Sequence, residues 1–113
     1  MKIKKYYCIS KVNMVPIIQE KGIEADADGS IFLFVIDKGK MKDILNIAGY
    51  ITTNQLFLDE YALFEVFENG ITGEMIDFKI SGRTEQYQKI LKQKNISKDH
   101  IKFINCYKTY FAI

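Results

Sequence analysis

Few side chains in this sequence have the types that carry out covalent or acid-base chemistry. There is one histidine, His100, and there are two cysteines, Cys8 and Cys106. A thiolate at Cys8 with His100 as its base would form a nucleophilic pair. The surroundings disfavour that pair, because Cys8 lies inside an apolar strand pattern and His100 lies in a polar turn with no evident third partner. The sequence therefore predicts a core cysteine and a solvated histidine.

The motifs of common enzyme classes are absent from the sequence. It contains no P-loop, no dinucleotide-binding glycine fingerprint, no His-Glu-x-x-His and no Gly-x-Ser-x-Gly. With a single histidine and no close Cys/His cluster, the composition argues against a structural zinc site. We therefore expect no metal in the protein.

Composition and charge indicate the class of protein, but they say little about its activity. A chain of 113 residues is long enough for one domain with one core. Its formal charge of +2, with basic and acidic residues interspersed, neither demands nor excludes a nucleic-acid partner. Seven Tyr and eight Phe residues favour a β-rich core, with a base-stacking platform as the alternative.

The location follows from the same composition. The basic start of the chain is followed by an apolar run that polar residues interrupt, so it cannot serve as a signal-peptide core. No window approaches the ~18 apolar residues of a membrane span. We expect a cytoplasmic protein in which Cys8 and Cys106 stay reduced, because cytosolic disulfides are rare.

A compact β-α-β unit at residues 6–35 is the frame for the rest of the chain. An apolar strand ends at Ser10, which with Asn13 is a candidate cap for a short helix. Pro16 must lie in the first turn of that helix, and Gly22 is placed to end it. The unit would bring the end of the first strand close to the second strand, with a cleft between them.

The second strand and the remaining segments predict mainly β structure. Residues 31–36 are apolar on both alternating faces, which is typical of a central strand. Asn69-Gly70 predicts a tight turn with two positive φ values. Segment 85–94 fits a helix or an edge strand equally well. The other predicted elements are a helix at 41–48, a loop at 50–60 with a short strand at 55–58, and strands at 61–67, 74–80 and 101–111.

These elements add up to an α+β fold in a single small domain. Two or three short helices come early, and about six mainly antiparallel strands follow. There is no internal repeat and no linker, so residues 1–113 form one unit.

Several short motifs match the pattern of a known family. They are Cys8-Ile9-Ser10 at the end of the first strand, Ile17 to Ile23 through the end of the helix, Ile31 to Phe34 in the second strand, Ala62 to Val66 with Gly70-Ile71, and Glu85-Gln86-Tyr87 followed by Ile96 to Ile101. In this order they resemble the ADP-ribosyltransferase-like superfamily, which includes the tRNA 2′-phosphotransferases and DarT-like DNA-modifying toxins. The resemblance covers nearly the whole chain and implies a split sheet around an NAD-binding cleft.

The resemblance also implies roles for individual residues. Cys8, Ile9 and Ser10 would lie at the nicotinamide ribose, and Phe32 or Phe34 would stack on nicotinamide. Glu85 would be the carboxylate that stabilises oxocarbenium-like charge as nicotinamide leaves, unless the register places the uncharged Gln86 there.

The departures from the family fall at these same positions. Cys8 replaces a histidine and is a poor hydrogen-bond partner by comparison, and phenylalanine replaces a hydroxyl-bearing residue. The resemblance therefore implies an NAD-dependent ADP-ribosyltransferase-like domain that is weakly active or inactive. If active, it would modify a protein or a nucleic acid.

Two other classes of function fit the same residues. One is a non-enzymatic binding or inhibitor protein on the same scaffold, of the kind that phage and host produce in conflict systems, with the cleft or an exposed sheet edge holding the partner. The other is an α+β interaction module unrelated to the family. Titration with NAD and with ADP-ribose separates the enzyme from both.

Overall fold

The computed structural model describes residues 4–37 and 60–108, with the backbone alone at Asp37, Ile80 and residues 85–87. One α-helix, α1 (Val15–Lys21), occurs in these two ranges. The strands are β1 (Lys4–Ser10), β2 (Ile23–Glu24), β3 (Ser30–Asp37), β4 (Glu60–Val66), β5 (Glu74–Ile80), β6 (Arg83–Lys92), β7 (Asn95–Ile96) and β8 (Ile101–Lys108). Short 3-10 turns lie at Val12–Met14, Glu68–Gly70 and Lys98–His100.

Among the described residues, six of these strands form one sheet in the order β5-β6-β3-β1-β4-β8, in which every neighbouring pair is antiparallel. A two-stranded antiparallel sheet, β2-β7, accompanies it. The protein is thus mostly antiparallel sheet, and the prediction of an α+β fold with two or three helices is wrong. The helix predicted at 41–48 and the strand predicted at 55–58 lie outside the described residues.

Segment 85–94, which by sequence fits either a helix or an edge strand, is a strand. It belongs largely to β6, which pairs with β3 on one side and with β5 on the other. The strand alternative is therefore confirmed there, although the strand is interior and not at an edge, and the helix alternative is wrong. Gln88 and Leu91 are buried, so the segment owes its conformation to neighbours far away in sequence, which periodicity cannot register.

The two faces of the large sheet carry separate cores, because successive side chains of a strand alternate between faces. On the first, which we call the helix face, Ile18 of α1 and Ile96 of β7 pack over Cys8, Leu33 and their neighbours. The opposite face carries the buried side chains of Phe34, Ile36, Tyr61 and Leu63. As predicted, β3 is an interior strand that contributes to both cores.

The start of α1 differs from the prediction, whereas its first turn and its end do not. Neither Ser10 nor Asn13 caps the helix, since Met14 occupies the N-cap position without a side-chain hydrogen bond. The 3-10 turn at Val12–Met14 moves the helix start away from both candidates. Pro16 lies in the first turn as predicted, and Gly22 ends the helix with a φ of 86°. A Cβ at Gly22 would lie 2.2 Å from the Ile96 carbonyl oxygen, so this position requires glycine.

The Asn69-Gly70 turn forms for a different reason from the one predicted. Residues 68–70 make a 3-10 turn in which neither residue has a positive φ, and β4 does not pair with β5. A Cβ at Gly70 would lie 2.5 Å from the Cβ of His100. Gly70 is required by that close approach. The tight hairpin turn instead joins β5 to β6, where Ser81 and Gly82 have φ values of 52° and 78°.

Candidate functional site

Cys8 is a core residue with no access for a nucleophilic role. It lies on the helix face of β1 with 8% of its surface exposed, and its Sγ donates to the Phe32 carbonyl oxygen at 3.5 Å. Burial raises the pKa of the Cys8 thiol to about 12. A thiol held neutral in this way is a weak nucleophile, because the thiolate is the reactive form. The prediction of a core cysteine is confirmed.

His100 is placed by packing and not as a partner of Cys8. It ends the 3-10 turn before β8, where its side chain contacts the Gly70 backbone and its carbonyl oxygen accepts from the Phe67 amide at 2.8 Å. The histidine is half-buried, so the prediction of a solvated side chain is only partly right. Strand β4 separates β8, which follows His100, from β1, which carries Cys8, so His100 is not positioned as a partner of Cys8.

The residues that the family resemblance groups around nicotinamide lie on both faces of one sheet. Cys8 belongs to the core of the helix face, and Ser10 has the same orientation because it follows two residues later on the strand. Phe34 belongs to the core of the opposite face and is 1% exposed. Phe32 shares that face with Phe34 by the same alternation. The structure therefore does not bring these two pairs of side chains together.

Ser10 and Phe32 differ further in what they offer to a ligand. The Ser10 hydroxyl donates to the adjacent Lys11 carbonyl oxygen at 3.0 Å. Phe32 is 40% exposed, and its ring meets that of Phe78 edge-to-face with centroids 5.5 Å apart. Ile9 lies on the same face as Phe32, since it alternates with Cys8 along β1. Of the predicted residues, Ile9 and Phe32 are the two that share an accessible surface.

The backbone at Glu85 and Gln86 lies near the start of β6, far from Ser10. The pairs Tyr7–Phe34 and Phe34–Gln88 place Gln88 level with Tyr7 across the sheet. Ser10 is three residues beyond Tyr7 in one direction along the strands, and Glu85 is three residues before Gln88 in the other. At about 3.3 Å per residue, the two backbones are about 20 Å apart along the strand direction.

An apolar surface crosses four strands on the face opposite the helix. Phe32 pairs with Ile90, and Ile90 pairs in turn with Ile76, so these side chains form one row. Phe32 is the most exposed of the set, and the others are half-buried. We call this surface the apolar strip, and its members are Ile9, Phe32, Ile76, Phe78 and Ile90.

One end of the apolar strip is bordered by charges of both signs. Glu74 and Lys92 are paired in register two residues beyond Ile76 and Ile90, so they project from the same face. Both are exposed, and the Lys92 ammonium donates to the Ser30 hydroxyl at 2.7 Å. The sequence alone does not mark this surface as a site. In the sequence, this surface corresponds to the alternation of Ile76 and Phe78 with polar neighbours. That alternation does not reveal which strands lie beside β5.

Both edges of the described sheet carry irregularities. The pairing of β5 with β6 shifts between Asp77 and Lys79, and that of β4 with β8 shifts between Leu63 and Phe64. Bulges of this kind bend an edge strand and disfavour pairing with another chain. Among the described strands, the sheet face is therefore better suited to a partner than the outer strands β5 and β8 are.

A shallow groove of about 660 Å³ lies at one end of the sheet, between residues 24–29 and 92–95. It is lined by the acidic Glu24 and Asp26 and by the basic Lys92 and Lys94. None of the residues that the resemblance assigns to NAD lines it. Across residues 4–37 and 60–108, no three His, Cys, Asp or Glu side chains are grouped closely enough to hold a metal ion.

Comparison of the chain with family models, with curated proteins and with solved structures gives no match. The described residues contain no helix of the length and apolar character needed to cross a membrane.

Proposed function

We propose that this chain is a non-catalytic binding protein that holds a protein partner on the apolar strip. The observation that carries the proposal is the division of the candidate residues between two sheet faces. Cys8 is in one core and Phe34 is in the other, whereas Phe32 is exposed within a row of apolar side chains.

The composition of the strip favours a protein over a nucleic acid. A protein surface that binds nucleic acid needs several cationic side chains to neutralise the phosphates. The border of the strip instead pairs the acidic Glu74 with the basic Lys92. An exposed aromatic ring beside aliphatic side chains, with a polar border, is the usual composition of a protein interface core and its rim.

The proposal keeps the cytoplasmic location that the sequence predicts, where both thiols stay reduced. A binding protein of the phage-host conflict type is one setting in which such a surface would act. ADP-ribosyltransferase activity stays a prediction of the resemblance.

A selection with a displayed peptide library tests the proposal. Peptides are selected on the wild-type protein and then measured against Phe32→Ser. Truncation of an interface aromatic commonly costs about 2 kcal/mol, so we expect the selected peptides to lose about thirtyfold in affinity.

Ile17→Ser is the matched control, because Ile17 is 46% exposed on α1, on the other side of the sheet. It should leave the affinity of the selected peptides unchanged. Peptides that bind Phe32→Ser as tightly as the wild type, and that lose affinity for Ile17→Ser, would refute the proposed surface.

A further inference from the structure

The border of the apolar strip has a symmetric arrangement of charge and apolar surface. Glu74 pairs in register with Lys92, and Ile76 pairs in register with Ile90. The first pair has opposite charges, and the second has identical side chains. No ion pair joins Glu74 to Lys92, although both side chains are described and exposed.

We consider a two-fold axis that lies above this face, parallel to the strands and midway between β5 and β6. It would place β5 of a second copy opposite β6 of the first, and β6 of the second copy opposite β5 of the first. Lys92 would then face Glu74 of a second copy, and Ile90 would face Ile76 of that copy. Each contact would occur twice, as a two-fold interface requires. Sheets that pack face to face keep their strands within about 30° of each other at a separation of about 10 Å, and this axis produces that aligned packing.

We infer that a second copy of this chain covers the β5 and β6 part of the apolar strip, forming a two-fold homodimer through the faces of these two strands, while Phe32 on β3 and Ile9 on β1 lie beyond it. The inference rests on the proposed function and names a partner for the β5 and β6 part of the same surface. Charge complementarity favours a second copy, because it presents a lysine opposite Glu74 and a glutamate opposite Lys92. A partner with only one sign of charge would leave one of these two side chains opposite a like charge or no charge. The strip is small, so we expect a weak dimer with a dissociation constant of about 10–100 µM.

Sedimentation equilibrium of the intact chain tests the inference over about 1–500 µM protein. The wild type should show a monomer–dimer equilibrium. Lys92→Glu and Glu74→Lys should each weaken the dimer about tenfold, because each places like charges in contact at two symmetric positions. The double variant that carries both changes should recover the wild-type dissociation constant to within about twofold.

Matched controls come from Glu20 and Lys21, which are adjacent, exposed and located on α1. Glu20→Lys and Lys21→Glu make the same changes in net charge and should leave the dimer intact. Ile76→Thr keeps a β-branched residue in the strand and should also weaken the dimer, so the test does not depend on charge reversal alone. Far-UV circular dichroism confirms that each variant is folded.

A wild-type protein that stays monomeric throughout this range overturns the inference. So does a dimer that the single charge reversals leave unchanged, or one that the double variant does not restore. Failure of the dimer is distinct from failure of the binding surface. A monomeric protein whose selected peptides still require Phe32 would refute the second copy as partner and keep the proposed function.

Discussion

Cys8 and Phe32 are joined by a hydrogen bond, yet their side chains lie on opposite faces of the sheet. The Cys8 Sγ donates to the Phe32 carbonyl oxygen at 3.5 Å from within the core of the helix face. The Phe32 ring lies on the other face against Phe78. Antiparallel pairing of β1 with β3 therefore brings the two backbones together and separates the two side chains. A cleft that needs both groups at one ligand cannot form between these strands.

The two cysteines should differ strongly in reactivity. Cys106 is exposed on β8, whereas Cys8 is buried with a pKa of about 12. Iodoacetamide at pH 8 should label Cys106 in the folded protein and reach Cys8 only after unfolding in urea, as mass spectrometry of the labelled peptides would reveal. Equal labelling of both cysteines without urea would contradict the burial of Cys8.

The same two thiols should not form a bridge. Strand β4 lies between β1 and β8, and Cys106 is level with Ser10, so the Cα atoms of Cys8 and Cys106 are about 12 Å apart, beyond the reach of a disulfide. Non-reducing peptide mapping should find both as free thiols. A linked Cys8–Cys106 peptide from the folded protein would be incompatible with this sheet order.

Gln93 should be a strong determinant of stability. Its Oε1 accepts from the amides of Thr72 and Gly73 at 2.8 and 2.9 Å, and its Nε2 donates to the carbonyl oxygens of Gly70 and Asn95 at 2.8 and 2.7 Å. Gln93→Glu replaces the donor with an oxygen that faces two carbonyl oxygens. We expect a loss of about 2–4 kcal/mol in the free energy of unfolding, measured in urea.

Gln19→Glu on the exposed surface of α1 is the control for that experiment, because it makes the same chemical change where nothing is buried. It should shift stability by no more than about 0.5 kcal/mol. Equal effects of the two substitutions would mean that the Gln93 hydrogen bonds do not stabilise the fold.

The ion pair of Asp77 with Lys89 should make the stability of the fold depend slightly on pH in the acidic range. The hydrogen bond from Lys89, together with its charge, lowers the pKa of Asp77 below its ordinary value of 3.8. A lowered pKa in the folded state contributes stability that is present above pH 3.8 and is lost as the pH falls through the folded value. Asp77→Asn should therefore lower stability at pH 7 and have no effect at a pH below the folded pKa.

Asp28→Asn serves as the comparison, since Asp28 is an exposed turn residue whose backbone amide donates to Asp26. Thermal melting of both variants and the wild type between pH 2 and pH 7 makes the measurement. A stability difference for Asp77→Asn that is largest in acid would reverse the expected sign.

NAD chemistry should be very slow or undetectable. Of the side chains that the resemblance assigns to the nicotinamide ribose, the Cys8 thiol is buried and the Ser10 hydroxyl donates to its neighbour. Loss of a hydrogen bond at a site that stabilises a transition state commonly costs about two to three powers of ten in rate. Calorimetric titration with NAD and ADP-ribose should show weak binding at most, and Glu85→Gln should abolish any turnover.

Robust NAD hydrolysis by the purified protein would contradict that expectation. If the hydrolysis survived Glu85→Gln, the assignment of Glu85 as the charged group would fail as well. Appearance of activity in Cys8→His would support the cleft that the resemblance implies.

The sequence predicted those features well that depend only on residues close together in the chain. Ser10 ends β1, and Gly22 ends α1. Each depends on residues within a few positions of one another. The apolar run at 31–36 likewise identified an interior strand, because burial on both faces leaves a direct mark on composition.

The pairing of distant strands was not accessible to the same reasoning. That β6 lies between β3 and β5 depends on contacts about 12 to 60 residues apart in sequence, and no local pattern at Gln88 to Leu91 specifies them. The apolar strip is assembled by that pairing from four strands. Its residues each look ordinary in sequence, and only their register makes them a surface.

The most direct test of the binding surface is the affinity of one selected peptide for three proteins, measured by isothermal titration calorimetry. We predict that Phe32→Ser weakens binding about thirtyfold relative to the wild type and that Ile17→Ser leaves it unchanged. Equal affinity of the peptide for the wild type and Phe32→Ser would contradict the account.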